Sequence, residues 1–266
     1  MASQNNKSAI GVFDSGIGGL TVARELFRVL PNERVVYLGD TARVPYGNKS
    51  KETVVKFSTE SVLFLMDQKV KLVVVACNTA SSFALPALRK FSSTPVLGVI
   101  DPGVEAALQA TRSGRIGVIG TTSTIGSGAY QKGIKRRAPK AQVVSVSCPL
   151  FVPFAEEGWV SDKIIESVAH KYLAPLKSSK IDTLILGCTH YPLLKNTIAK
   201  VMGEKVRLVD SATQTALKAS LLLKKLNQLN TARRSGHRFF VTDEPKQFSK
   251  LSKRFLGKSI GQVQRA

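Results

Sequence analysis

VVVACNTASS, residues 73–82, and LILGCTHYPL, residues 184–193, follow one plan. Each is an apolar run of strand length that ends in a cysteine, passes through a polar pair and enters a helix start. A nearly continuous, β-branched apolar run suits a strand covered on both faces. A second pair precedes the first: AIGVFDSGIGG (9–19) and RIGVIGTTSTIGS (115–127) are both strands followed by a turn rich in Gly, Ser and Thr. The separations within the two pairs are similar, so the chain reads as a duplication. Each of two equivalent units carries one cysteine at the carboxyl end of a strand. Any two strand–helix units look alike, so the glycine turns alone say little. Cysteines at matching places say more.

Outward from these stretches the pattern continues. Further strands are expected at 34–39, 95–100, 141–148, 206–210 and 238–242, beside those at 9–13, 71–77, 115–120 and 183–188. Periodic segments between them read as helices at 20–30, 51–68, 103–110, 161–177, 192–202 and 211–226. Strands alternating with helices of this length argue for the α/β class with mainly parallel sheets. The expected organisation is two equivalent α/β units followed by a tail. Residues 1–100 form the first unit and 101–210 the second, and the tail 211–266 folds back onto the first, through an exposed connection at 226–238.

With 266 residues, 43% of them hydrophobic, there is ample material for a buried core. The longest apolar runs are strand-sized, far short of a membrane span. The opening MASQNNKSAI lacks a basic-then-apolar signal segment, so a cytoplasmic location is expected. Three widely spaced cysteines, Cys77, Cys148 and Cys188, make no disulfide framework, and no C-x-x-C pair offers metal-ligand spacing. Reduced thiols fit better. The formal net charge of +21 stands out. One reading is nucleic-acid or anionic-membrane binding. The basic residues are spread along the chain, however. The denser stretches, 132–140 and 233–266, do not interleave aromatics as single-strand binders do. A solvated basic surface that favours an acidic small molecule is the preferred reading.

In open α/β sheets ligands bind beyond the carboxyl ends of strands. The loops there hold Asp14 and Ser15; Asp40, Pro45, Tyr46 and Gly47; Cys77, Asn78 and Thr79; and Cys188, Thr189 and His190. Inert packing is the default for a lone cysteine, and Cys148, in SVSCPLF without acid–base neighbours, is taken as structural. Cys77 and Cys188 sit where helix N-terminal amides are expected to lower a thiol pKa, which makes them candidate bases. Asp14 and His190 are their natural partners, although DSG would also serve as a helix cap. GIGG (16–19) lacks the dinucleotide pattern, and 116–128 lacks a Walker Gly-Lys. No pyridoxal or metal site is indicated; cofactors and metals are expected to be none.

DSGIGGL (14–20), GDTARVPYG (39–47), ACNTAS (76–81), FVPFAEEG (151–158) and LGCTHYPLL (186–194) together resemble the signatures of the glutamate racemase family, within the aspartate/glutamate racemase superfamily. Five separated motifs occur in order, and the resemblance runs from about residue 9 to about 215. It implies two pseudo-symmetric domains with mainly parallel sheets and an active site in the cleft between them, and cofactor-independent racemisation of glutamate, with D-glutamate supplied for peptidoglycan synthesis. Cys77 would remove the α-proton from D-glutamate and Cys188 from L-glutamate, on the opposite face. Asp14 and His190 would support the thiols, and Glu156 or Glu157 would be a further carboxylate near the second. Substrate contacts would fall on Asp14, Ser15, Tyr46, Gly47, Asn78, Thr79, Thr189 and His190, with Thr121, Thr122 and Thr124 as additional candidates. A homodimer is among the arrangements the resemblance allows. The alternatives are a racemase of another acidic amino acid such as aspartate, a cysteine hydrolase or transferase using one thiol, and a basic nucleic-acid-binding protein.

Overall fold

The computed structural model describes residues 8–232 and 236–266. Residues 1–7, which open the segment read above for a signal, and 233–235, inside the expected connection, lie outside the described residues.

Among the described residues ten strands run β1 Ile10–Asp14, β2 Val35–Gly39, β3 Leu72–Val75, β4 Val96–Gly98, β5 Arg115–Gly120, β6 Gln142–Ser147, β7 Thr183–Gly187, β8 Arg207–Asp210, β9 Arg238–Val241 and β10 Val263–Arg265. Twelve helices accompany them: α1 Leu20–Val29, α2 Lys51–Asp67, α3 Asn78–Phe83, α4 Leu85–Phe91, α5 Ile100–Ala110, α6 Thr122–Gly126, α7 Ala129–Arg137, α8 Phe151–Glu157, α9 Lys163–Ser178, α10 Lys195–Met202, α11 Ala212–Lys225 and α12 Pro245–Leu256. They support two separate sheets, ordered β10-β9-β2-β1-β3-β4 and β6-β5-β7-β8. Every pairing is parallel.

The chain is therefore α/β with two parallel sheets. The first four strands of each half share one order, the first strand lying between the second and the third. Cys77 follows the third strand of the first set, and Cys188 the third strand of the other. The apolar runs are explained by position. β1, β2, β3 and β7 are buried along their whole length. Two apolar clusters, one holding Ile10, Val12 and Tyr37 and the other Phe13, Val36 and Leu38, cover opposite faces of the larger sheet. The smaller sheet is covered likewise, with Leu184 and Leu186 in one cluster and Ile185 in the other. At the edge of that sheet, β6 is half-exposed.

The strands of the tail extend the larger sheet, β9 pairing with β2 and β10 with β9. α11 supplies Ala212, Ala216, Ala219 and Leu223 to the cluster that includes Leu20, Val22 and Leu26 of α1. Three departures from the sequence reading have local causes. The helix expected at 103–110 begins at Ile100, because Pro102 is tolerated in a first turn. The helix expected at 192–202 is split into a 3-10 turn, Tyr191–Leu194, and α10. β10 has no apolar pattern of its own and is a strand only because β9 offers it an edge. Among the described residues no helix is long and apolar enough to cross a membrane.

Candidate active site

A cavity of about 270 Å3 opens where the carboxyl ends of the two sheets face each other. Ligand pockets for drug-sized molecules run from about 300 to 1,000 Å3, so this one suits a smaller solute. Both Cys77 and Cys188 line it, one from each half. Of the other sequence candidates, Ser15, Tyr46, Gly47, Asn78, Thr79, Thr189 and His190 also line it. Asp14 does not. It lies fully buried behind the wall, its carboxylate accepting from the Gly16 N–H at 3.0 Å and from the Thr189 hydroxyl at 3.5 Å. Thr121 and Thr124 reach the cavity and Thr122 does not; Glu156 reaches it and Glu157 does not. Cys148 is buried outside the cavity, its thiol directed at the Val146 carbonyl.

The halves meet closely here. Gly18, in the turn after β1, has no Cβ, and one placed there would lie 2.3 Å from Thr189 Oγ1 and 2.5 Å from His190 Nδ1. Glycine is thus required for the first half's turn to lie against the loop that carries Cys188. A triangle of hydroxyls makes a second junction: Thr79 Oγ1 is 3.0 Å from Thr121 Oγ1 and 2.9 Å from Thr124 Oγ1. Tyr130 donates to Asn78 Oδ1 at 2.7 Å, which leaves the Asn78 NH2 as the end available to a ligand. Tyr46 is anchored by its hydroxyl on the buried Asp40 carboxylate, which also accepts from Arg43 Nε at 2.7 Å and Thr242 at 3.0 Å. Sequence reasoning noted Asp40 only as a loop residue and gave no role to Tyr130. The GD of GDTARVPYG was the available signal for the first. Nothing in the sequence marked the second.

The two thiols have different surroundings. Cys77 caps α3, accepting from the Ala80 N–H at 3.5 Å, and its thiol donates to Ser15 Oγ at 3.5 Å. The helix amide lowers the thiol pKa as expected from sequence, but it is outweighed. Burial, with the nearby Asp14 charge, pushes the Cys77 thiol up to about 12. The expectation of a lowered pKa is corrected on that ground: burial of Cys77 penalises the charged thiolate more than the helix amide favours it. Burial likewise raises the Asp14 carboxyl, against the pull of His190 and its hydrogen-bond donors.

Cys188 stands beside His190, Sγ to Nδ1 being 3.8 Å, and the opposite ring nitrogen lies 2.9 Å from Glu156 Oε1. Burial lowers the imidazole pKa, but the bonds to Cys188 and Glu156 more than reverse it, raising His190 to about 10. His190 is therefore a cation at neutral pH. The arrangement holds a proton on Cys77 and a positive charge beside Cys188, each thiol brought to one small cavity by a different half of the chain. It can take a proton from one side of a bound carbon centre and return one from the other. No group of three or more His, Cys, Asp or Glu among the described residues could hold a metal ion.

Comparison with known proteins points the same way. A family model described as Asp/Glu/Hydantoin racemase matches residues 10–219. A glutamate racemase from Geobacter metallireducens is 52% identical over 256 residues, covering 96% of this chain and 95% of that one. The crystal structure of a glutamate racemase isoform from Bacillus anthracis superposes with a TM-score of 0.95 at 43% identity, covering 98% of each chain. A glutamate racemase from Francisella tularensis, solved in complex with D-glutamate, gives a TM-score of 0.92 at 42% identity, again over 98% of each chain.

Proposed function

The chain belongs to the Asp/Glu/hydantoin racemase family, among its glutamate racemases, and from that premise we propose that it interconverts L- and D-glutamate by two-thiol proton transfer without a cofactor. The observation that carries the mechanism is that Cys77 and Cys188, each following the third strand of its own sheet, line one cavity. A single base cannot readily serve both faces of a held Cα. Two bases from a duplicated fold can.

In the direction from L-glutamate, the Cys188 thiolate takes the α-proton and the electron pair stays on Cα as a carbanion. The Cys77 thiol then delivers its proton to the opposite face. After the turnover Cys188 is the thiol and Cys77 the thiolate, and the reverse reaction begins from that state. The free site suits the forward direction, since burial keeps the proton on Cys77 and His190 places a positive charge beside Cys188. Without a cofactor to accept electrons, the carbanion needs preorganised donors. The Asn78 amide and the Thr79 and Thr189 hydroxyls are the donors at hand, beside Ser15 and the Tyr46–Gly47 segment. Asp14 acts from behind the wall, on Thr189 and His190. The preference for glutamate over aspartate rests on the relatives at about half identity, all named glutamate racemase. In the cytoplasm the D-glutamate produced would serve peptidoglycan synthesis.

The test is incubation with L-glutamate in deuterated water, without added cofactor, following optical rotation and loss of the α-proton signal. Both should decay, and Cys77→Ser and Cys188→Ser should each abolish racemisation. Full activity in either variant would exclude the two-base assignment.

A further inference from the structure

α12 comes from the tail beyond the second sheet, yet two consecutive residues of it touch the acid–base pair beside Cys188. We propose that α12 is a positioning element for this site: Phe255 fixes the His190 ring and Arg254 fixes the Glu156 backbone, so that the pair stays aligned on Cys188. The proposal rests on the racemase reading for what the alignment is used for, but the contacts themselves do not.

The Phe255 and His190 rings meet edge to face, with centroids 5.2 Å apart and planes at 82°. Phe255 is fully buried, so it packs the ring against water as well as against rotation. Orientation matters for this imidazole because its two nitrogens do different things, Nδ1 facing Cys188 and Nε2 facing Glu156. A rotated ring would lose both. The neighbouring Arg254 is exposed and donates to the Glu156 carbonyl oxygen. The chain makes room for it: Gly158 ends α8 with φ +84°, and a Cβ there would lie 2.8 Å from the Arg254 guanidinium carbon. Any larger residue at 158 would displace Arg254 as well as strain the backbone.

These contacts cross between the sheets. Phe255 shares a cluster with Leu20 of α1 and with Tyr37 on β2 of the larger sheet, whereas Glu156 and His190 follow strands of the smaller one. The imidazole is thus held only while the two halves keep this relation. The charged and titratable groups around it are Asp14 after β1, Cys188 after β7, Glu156 on α8 and, one bond further, Arg254 on α12. With Phe255 trimmed, water enters and the ring loosens from Cys188 and Glu156. The two contacts that hold its proton are weakened together.

The experiment is side-chain NMR of the imidazoles through a pH titration, in the wild type and in Phe255→Ala, Phe255→Leu and Arg254→Gln, with kcat and KM measured against pH. The chain has only three histidines, so His170 and His237 serve as internal references. In Phe255→Ala the His190 titration should move down by a full pH unit or more, the references staying in place. kcat should fall about tenfold with KM little changed, a part of the 10²–10⁴ that a fully positioned proton-transfer group contributes, and the alkaline limb of the profile should move with His190. The loss in kcat/KM should be equal in both directions, since enantiomers have equal free energy and the equilibrium constant is one. Phe255→Leu should restore most of both, and Arg254→Gln should give a smaller shift of the same sign. If Phe255→Ala does not fold, the surface variant Arg254→Gln carries the test. A His190 titration unchanged in the folded variants, or activity lost without that shift, would overturn the proposal. A wild-type protein that fails to racemise glutamate would sink the functional reading instead, and the His190 titration would still decide this one.

Discussion

Replacing Gly18 with alanine probes the junction on which the site depends. The new methyl would lie 2.3 Å from Thr189 Oγ1, 2.5 Å from His190 Nδ1 and 2.6 Å from His190 Cε1. Ordinary carbon contacts begin near 3.4 Å, so relief requires a movement of about 1 Å. Neither neighbour can easily yield. Thr189 Oγ1 is held within 3.5 Å of both Asp14 and His190, and His190 is pinned by Glu156 at 2.9 Å. The movement therefore falls on the separation of the turn after β1 from the loop after β7, the loop that carries Cys188. Misplacement by about 1 Å can cost roughly 10²-fold in rate, and overpacking costs about 1–3 kcal/mol of stability. At roughly 2–4 °C per kcal/mol for a chain near this size, the melting temperature should drop by several degrees. Polarimetric assay of glutamate racemisation should show kcat/KM down about 10²-fold, with the protein still folded. Gly126→Ala is the control: nothing lies within 4 Å of its Cβ position, and it should match the wild type. If Gly18→Ala keeps wild-type kcat/KM and melting temperature, the close approach of the halves is not what shapes the site.

Glu156→Gln should cut kcat by tenfold or more, because it removes the charge on the far side of His190, whereas Glu157→Gln should leave the rate unchanged; steady-state assays of both variants decide it. His190 titrates near 6.5 when free and at about 10 in the folded chain, so the folded state holds the extra proton between those values. Its stabilisation is complete below pH 6.5 and is lost as pH rises to about 10. Thermal melts across that interval should fall, and fall less steeply in His190→Asn. Lys71 and Glu33, both buried, pair at 2.7 Å beneath the larger sheet, away from the cavity. Lys71→Met should cost about 3–5 kcal/mol by leaving a buried carboxylate short of its countercharge, with kcat unchanged, as denaturant melts and assays would show.

Much of this molecule is written locally. Apolar runs such as LVVVA and TLILG can only be strands buried on both faces, and the alternation with helices leaves a parallel arrangement as the economical solution. The matched cysteines after the third strand of each half were visible for the same reason, since a strand's carboxyl end and the turn after it are adjacent in sequence. Ser15, Tyr46, Asn78, Thr189 and His190 were legible as polar residues clustered at such ends. Which residues work behind them was not. Tyr130 holds Asn78 across 52 positions, and Phe255 meets His190 from the tail.

Sequence alone determined the α/β class, the duplicated cysteine-bearing units and the loops that bear the polar groups, because each is a property of neighbouring residues; the separation into two sheets belongs to the tertiary structure. It left open the choice between Glu156 and Glu157, which differ by one step of about 100° around α8; only the packing of that helix turned Glu156 to His190. It also gave the wrong sign for the Cys77 thiol. The helix amide that lowers its pKa is a local feature, but the burial and the Asp14 charge that raise it are properties of the assembled cavity. Proton affinities are set by everything that surrounds a group, and that is fixed only when the halves close on each other.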